Sequence, residues 1–190
     1  MNKTFAPNML LVGSTARNTG KTTFCTQFIR KWESQHDIVG VKLTTIHGEE
    51  AHCHHGDEGC GACTSFRGDY EIIEERDASA GKDTSLLLDA GAVKVFWVRA
   101  KADMLEEAVK QCLAAIPNDV VIVCESNSLR DLVIPGAVVV THRSGITEMK
   151  PSAKPMLDIA NVIIDIANHD SIETAIARID ITSNGEVVVR

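Results

Sequence analysis

The chain has 190 residues, 44% of them hydrophobic and 24% charged, with a formal net charge of −7. That length suits one globular domain with its own core, and the acidic balance with no basic stripe argues against nucleic acid as a partner. No apolar run reaches the ~18 residues of a membrane span, and MLLV is too short for a signal-peptide core, so a cytoplasmic location is expected.

MLLVG (9–13) is a short apolar run and predicts a buried strand. KTTFCTQFIRKWESQ (21–35) places Phe24, Phe28 and Trp32 four apart, the spacing of an amphipathic helix. IVGVKL (38–43) predicts the next strand. Residues 44–68 are rich in Gly, His, Cys and acids, lack periodicity and predict a loop or small insertion. YEIIEER (70–76) predicts a strand, residues 79–90 a helix stopped by Gly91, and AVKVFWVRA (92–100) another strand.

ADMLEEAVKQCLAAI (102–116) has helical spacing and ends before Pro117. DVVIVCE (119–125), GAVVVT (136–141) and NVIIDI (161–166) predict strands, with a helix before the last. IETAIARI (172–179) predicts a helix, and the tail ITSNGEVVV predicts a hairpin turning at Asn184-Gly185. Most strands are apolar throughout rather than alternating, as in a parallel sheet covered on both faces. The expected architecture is a doubly wound, mostly parallel α/β sheet with helices on both faces, a P-loop-type fold in one domain over 1–190, with a C-terminal β-hairpin.

Strand MLLVG, loop STARNT, then Gly20-Lys21-Thr22 opening a helix supply the context of a phosphate-binding loop. Backbone N–H groups of the loop and helix N-terminus, Thr19 and Gly20 among them, would face a nucleoside triphosphate. Lys21 would reach its β- and γ-phosphates, and the Thr22 hydroxyl would ligate Mg²⁺. Thr15 stands where the usual pattern has a glycine, and Gly13 lies two residues earlier, so a longer or differently shaped loop is expected. Arg17 and Asn18 either add donors to phosphate or are solvated loop residues. Glu125 ends an apolar strand, as the Mg²⁺-side acid of such a site does; the alternative is a solvent-facing strand-end residue.

The resemblance to a known family rests on MLLVG…GKTTF, VGVKLTTIHG, AGKDTSLLLDAGAVKVFWV and DVVIVCE, over about residues 9–140. Together they resemble the molybdopterin-guanine dinucleotide biosynthesis protein B family. The spacing from GKDT to DAGA is its most specific part, and the chain departs from the family at Glu125-Ser-Asn-Ser, where Glu-Gly is usual. The resemblance implies a GTP-binding protein with Mg²⁺, dimerisation, and a role beside a molybdenum-cofactor biosynthesis enzyme. It carries Gly20, Lys21, Thr22 and Thr23 over as phosphate-loop residues, with Lys42, Asp83 and Glu125 as further site residues. Read by itself, Asp83 is either a first-turn helix acid or a nucleotide- or Mg²⁺-linked carboxylate. His142 and Arg143 follow a strand and are either a polar strand end or base-recognition residues. GTP against ATP stays open.

HCHHGDEGCGAC (52–63) puts three cysteines and three histidines into twelve residues. Cys60-Gly-Ala-Cys63 forms a two-thiolate knuckle, and Cys53 with His54 would complete a tetrahedral zinc site; His47, His52 and His55 are alternatives. Three thiolates could equally hold an iron–sulfur cluster. An unligated loop and a catalytic dithiol are the other readings. The insertion is placed at about 47–66. Cys25, Cys112 and Cys124 fall in segments predicted to be buried. Three functions compete: a slow GTPase or adaptor in cofactor biosynthesis, a nucleotide-gated metallochaperone or metal/redox sensor, and a small-molecule kinase.

Overall fold

A computed structural model describes residues 3–46 and 66–190. Its core is a seven-stranded sheet in the order β3-β4-β2-β5-β1-β6-β7. The strands are β1 (Thr4–Ser14), β2 (Ile38–Ile46), β3 (Tyr70–Glu75), β4 (Lys94–Lys101), β5 (Val121–Glu125), β6 (Val133–His142) and β7 (Val162–Asp165). All pairs are parallel except β3 with β4, which is antiparallel at the sheet edge. The edge strand YEIIEE is also the polar one, as a half-exposed edge allows.

Strand parity separates two layers of core. Leu10 and Val12 of β1, Val121 and Val123 of β5, and Val139 of β6 face one side. Helices α1 (Lys21–Trp32), α2 (Asp83–Asp89) and α5 (His169–Ala177) cover that side. Met9, Leu11, Ile122, Cys124 and Val138 face the other side, under α3 (Leu105–Ala114) and α4 (Ala153–Leu157). The sheet is therefore sandwiched between helices, as the unbroken apolar strands predicted. Among the described residues no helix is long and apolar enough to cross a membrane.

The four-residue spacing in α1 does what it predicted. Phe24 and Phe28 are fully buried and Trp32 nearly so, with successive ring centroids 6.5 Å apart. Each such ring stabilises the fold by roughly 1.5–3 kcal/mol through burial. These contacts hold the helix, and hence its N-terminus, against β1 and β5.

Several element bounds differ from expectation. β1 begins at Thr4 rather than Met9, because Pro7 sits at a register shift between Ala6 and Leu10, where a missing N–H costs little. β6 likewise starts before Pro135, and Gly136 is required there: a Cβ would lie 2.2 Å from the Pro7 carbonyl oxygen and 2.4 Å from that of Val187. The helix expected over 79–90 begins only at Asp83. Asp77 accepts from Ser79 in a side-chain turn, and the Lys82 N–H donates to Ser85 Oγ at the helix start.

The last helix ends at Ala177 rather than 179, which frees Ile179 for a terminal hairpin of β8 (Ile179–Ile181) and β9 (Val187–Val189). Its turn is longer than two residues. The Gly185 N–H donates to the Thr182 carbonyl at 2.9 Å, the Thr182 N–H donates to the Glu186 carbonyl at 2.9 Å, and Gly185 has φ 80°. That is a three-residue loop with its last residue left-handed.

Candidate functional site at the carboxyl edge of the sheet

The same parity that sorts the core also gathers the site. Glu125 is the last residue of β5 and is paired in register with Val12 of β1 and Lys42 of β2. Counting by twos from Val121 and Val123, its side chain emerges on the α1 face. Lys42 follows Ile38 and Gly40 onto that face, and Ser14 follows Leu10 and Val12. The carboxyl ends of three adjacent strands thus present Ser14, Glu125 and Lys42 toward the start of α1.

The chain between β1 and α1 is tightly held. The Thr15 N–H donates to the Thr141 carbonyl at 2.9 Å, and Thr19 Oγ1 donates to the Ala16 carbonyl at 3.1 Å. Ser14, Thr15, Ala16 and Thr19 are buried, while Arg17 and Asn18 are exposed at the tip. Asn18 (φ 54°) and Gly20 (φ 74°) are left-handed, which turns the backbone back into α1. No acidic residue occupies the first turn of α1, and no side chain caps it. Its N-terminus therefore carries the positive end of the helix dipole into the site uncompensated from within the helix.

Lys21 and Thr22 converge on Glu125. Lys21 Nζ donates to Ser14 Oγ at 3.0 Å and lies 3.6 Å from Glu125 Oε1. Thr22 Oγ1 donates to Glu125 Oε2 at 2.9 Å. Glu125 is only 6% exposed, so these partners replace much of its water. Thr23 is exposed beside them.

Beyond Glu125 lies a second pair. Lys42 Nζ donates to Asp83 Oδ2, the first residue of α2. Burial alone would raise the Asp83 carboxyl; the hydrogen bond and charge of Lys42, with Thr22 and Lys21, outweigh it and hold the group below its ordinary value. Asp83 is thus a first-turn helix acid and an ion-pair partner at once.

Three residues that sequence reasoning passed over complete the neighbourhood. Ser14 braces Lys21. Asn127, two residues after Glu125, accepts from the Ser14 N–H at 2.8 Å and donates to the Ser14 carbonyl at 2.9 Å. Lys150 reaches the loop from between β6 and β7, its N–H donating to the Thr15 carbonyl at 2.9 Å. Burial, then the charges of Lys21 and Arg17, lower its ammonium to about 8 against the opposing pull of Glu125. A Ser-Asn-Ser run and a lysine in a polar loop carry no pattern that marks them in advance.

His142 and Arg143 are set apart from this group. His142 Nε2 lies 3.9 Å from Asp165 at the end of β7, and Arg143 is exposed. Cys25, Cys112 and Cys124 are buried as expected, and burial pushes their thiols up, that of Cys112 to about 12. They are inert core residues. Cys53, Cys60, Cys63, His54 and the neighbouring His47, His52 and His55 lie outside the described residues.

Among the described residues no group of three or more His, Cys, Asp or Glu side chains gathers as a metal site. The Thr22 hydroxyl and Glu125 carboxylate are hard oxygen donors within hydrogen-bond distance of each other. Such a pair fits Mg²⁺, which takes one or two protein oxygens and fills its remaining positions with water and phosphate. No protein-family model matches the sequence, and no curated protein or solved structure matches it significantly.

Proposed function

We propose that this edge of the sheet is a P-loop site for a nucleoside triphosphate, with GTP favoured by the family resemblance. One observation carries the reading: Lys21 and Thr22, on the first turn of an uncapped helix, converge on the buried Glu125 at the carboxyl ends of parallel strands. Ligands of open α/β sheets bind at that edge. Backbone N–H groups of Gly20, Lys21, Thr22 and Thr23 would receive phosphate oxygens, and the Lys21 ammonium would leave Ser14 for the β- and γ-phosphates. Thr22 and Glu125 would hold Mg²⁺, which neutralises phosphate charge when bound. Arg17, Asn18 and Thr19 would wall the loop, and the Lys42–Asp83 pair would border the space beyond the terminal phosphate.

On this reading the protein is a slow GTPase or a GTP-binding adaptor in molybdenum-cofactor biosynthesis, acting as a homodimer beside an enzyme of that process. Positioning and charge stabilisation are the chemistry its residues support. Calorimetric titration with GTP and with ATP, each with Mg²⁺, tests it. Saturable binding with GTP preferred is the expected result; no binding of either nucleotide refutes the site.

A second reading has its own support. The chain leaves the described residues after Ile46 at the carboxyl end of β2, and Thr45 Oγ1 donates to Ser128 Oγ in the loop after Glu125. Ile46, from which the chain continues toward the Cys/His sequence, therefore lies at the same edge. Zinc or an iron–sulfur cluster on Cys53, Cys60, Cys63 and His54 would make the protein a nucleotide-gated metallochaperone or sensor. Elemental analysis of anaerobically purified protein checks it: about one zinc per chain, or iron with sulfide, supports the metal, and neither element rules it out.

A further inference from the structure

The site holds more positive charge than it neutralises. Lys42 is paired with Asp83 and Lys21 with Glu125. Arg17 and Lys150 form no ion pair among the described residues. Arg17 is exposed at a loop tip and is readily solvated. Lys150 is not: it is partly buried, and burial with the charges of Lys21 and Arg17 disfavours its ammonium against the pull of Glu125. A flexible lysine ordinarily swings away from two like charges into water.

This lysine is tied in place through its backbone. Its N–H donates to the Thr15 carbonyl at 2.9 Å, and its own carbonyl accepts from the Ala153 N–H at 2.9 Å. Two residues on, Ser152 Oγ accepts from Asn127 Nδ2 at 3.1 Å, and the same Asn127 amide grips both backbone groups of Ser14. The segment 150–152 is thus stitched to the first two residues of the loop. That stitching sets the Lys150 backbone against Thr15, next to Ser14, whose Oγ holds the Lys21 ammonium, from a part of the chain more than a hundred residues away.

We propose that Lys150 is a phosphate-binding residue, contacting the terminal phosphate of a bound nucleoside triphosphate. The inference rests on the triphosphate reading above and adds to it a residue and a specificity. Its backbone is held to Thr15, beside the Ser14 that holds Lys21, and the charges of Lys21 and Glu125 act on it; that reading places those two at the γ-phosphate and Mg²⁺. A diphosphate leaves this position empty, so Lys150 favours the triphosphate over the diphosphate. Without an anion, burial and the two like charges outweigh the pull of Glu125 on the Lys150 ammonium.

The test compares wild type with Lys150→Met and Lys150→Arg. GTP and GDP affinities are measured by calorimetry, and melting temperatures without nucleotide. Lys150→Met should weaken GTP by ~10-fold or more, as loss of a charge-assisted contact does, and leave GDP within about threefold. Lys150→Arg should restore most of the GTP affinity. Without nucleotide, Lys150→Met should melt higher by about 2 °C or more, because it removes a crowded charge and keeps the packing stem. A merely structural lysine would give the reverse, a lower melting temperature and equal losses for both nucleotides. Wild type that binds GTP with unchanged discrimination in Lys150→Met overturns this inference alone. Wild type that binds neither nucleotide overturns the triphosphate reading, and this inference with it.

Discussion

Replacing Gly20 with alanine should cost about 1.5–3.5 kcal/mol of stability. Gly20 has φ 74°, where a Cβ costs roughly 1–2 kcal/mol. The new methyl carbon would also lie 2.8 Å from Ile166 Cδ1 and 3.0 Å from Cγ2. Ile166 is partly buried against the core, so its branch must turn off its preferred rotamer, at about 0.5–1.5 kcal/mol. Gly145 separates the two contributions. It has φ 89° with nothing within 4 Å of its built Cβ, so Gly145→Ala incurs the backbone cost alone. Urea unfolding of both variants measures the difference directly. In a chain of this size the Gly20 variant should melt roughly 3–14 °C below wild type. Phosphate affinity should fall in parallel, since Gly20 aims the first N–H groups of α1. Equal losses in the two variants would refute the contact with Ile166. No loss at Gly20 would refute the left-handed turn itself.

Glu125→Gln keeps the shape of the strand end but removes the charge beside Thr22 and Lys21. The gain in GTP affinity on adding Mg²⁺ should shrink by ~10-fold, with metal-free binding unchanged or slightly tighter; calorimetry with and without Mg²⁺ reads this, and an undiminished Mg²⁺ effect would count against the assignment. Asp83 titrates below its ordinary value when folded, so its stabilisation is intact above about pH 4 and fades as pH falls through the folded value. Urea midpoints of wild type should therefore fall more steeply than those of Asp83→Asn below about pH 4, and parallel curves would show that the Lys42 pair contributes nothing.

The central sheet and the helix behind the loop after β1 were legible because they depend on local patterns. Unbroken apolar runs marked the parallel strands, and Phe24, Phe28 and Trp32 marked the buried stripe of α1. Lys21, Thr22 and Glu125 were legible as a set because strand ends and helix starts meet at one edge of such a sheet. Proline hid the outer halves of β1 and β6, since nothing local shows that Pro7 falls at a register shift. Lys150 and Asn127 were illegible for a different reason. Their place beside the loop comes from contacts with Thr15 and Ser14 across more than a hundred residues, and only the folded topology creates them.

The most direct measurement is GTP binding with Mg²⁺ by wild type and by Lys21→Met, each first checked for an unchanged melting transition. Lys21 is partly exposed, and among the described residues its hydrogen bond is to Ser14 and its ion pair to Glu125, to which Thr22 still donates once Lys21 is lost, so its loss should spare the fold. The account predicts saturable binding by wild type and a loss of ~100-fold or more in the variant, as expected when a charged phosphate contact is removed. Equal affinity in the two proteins would contradict it.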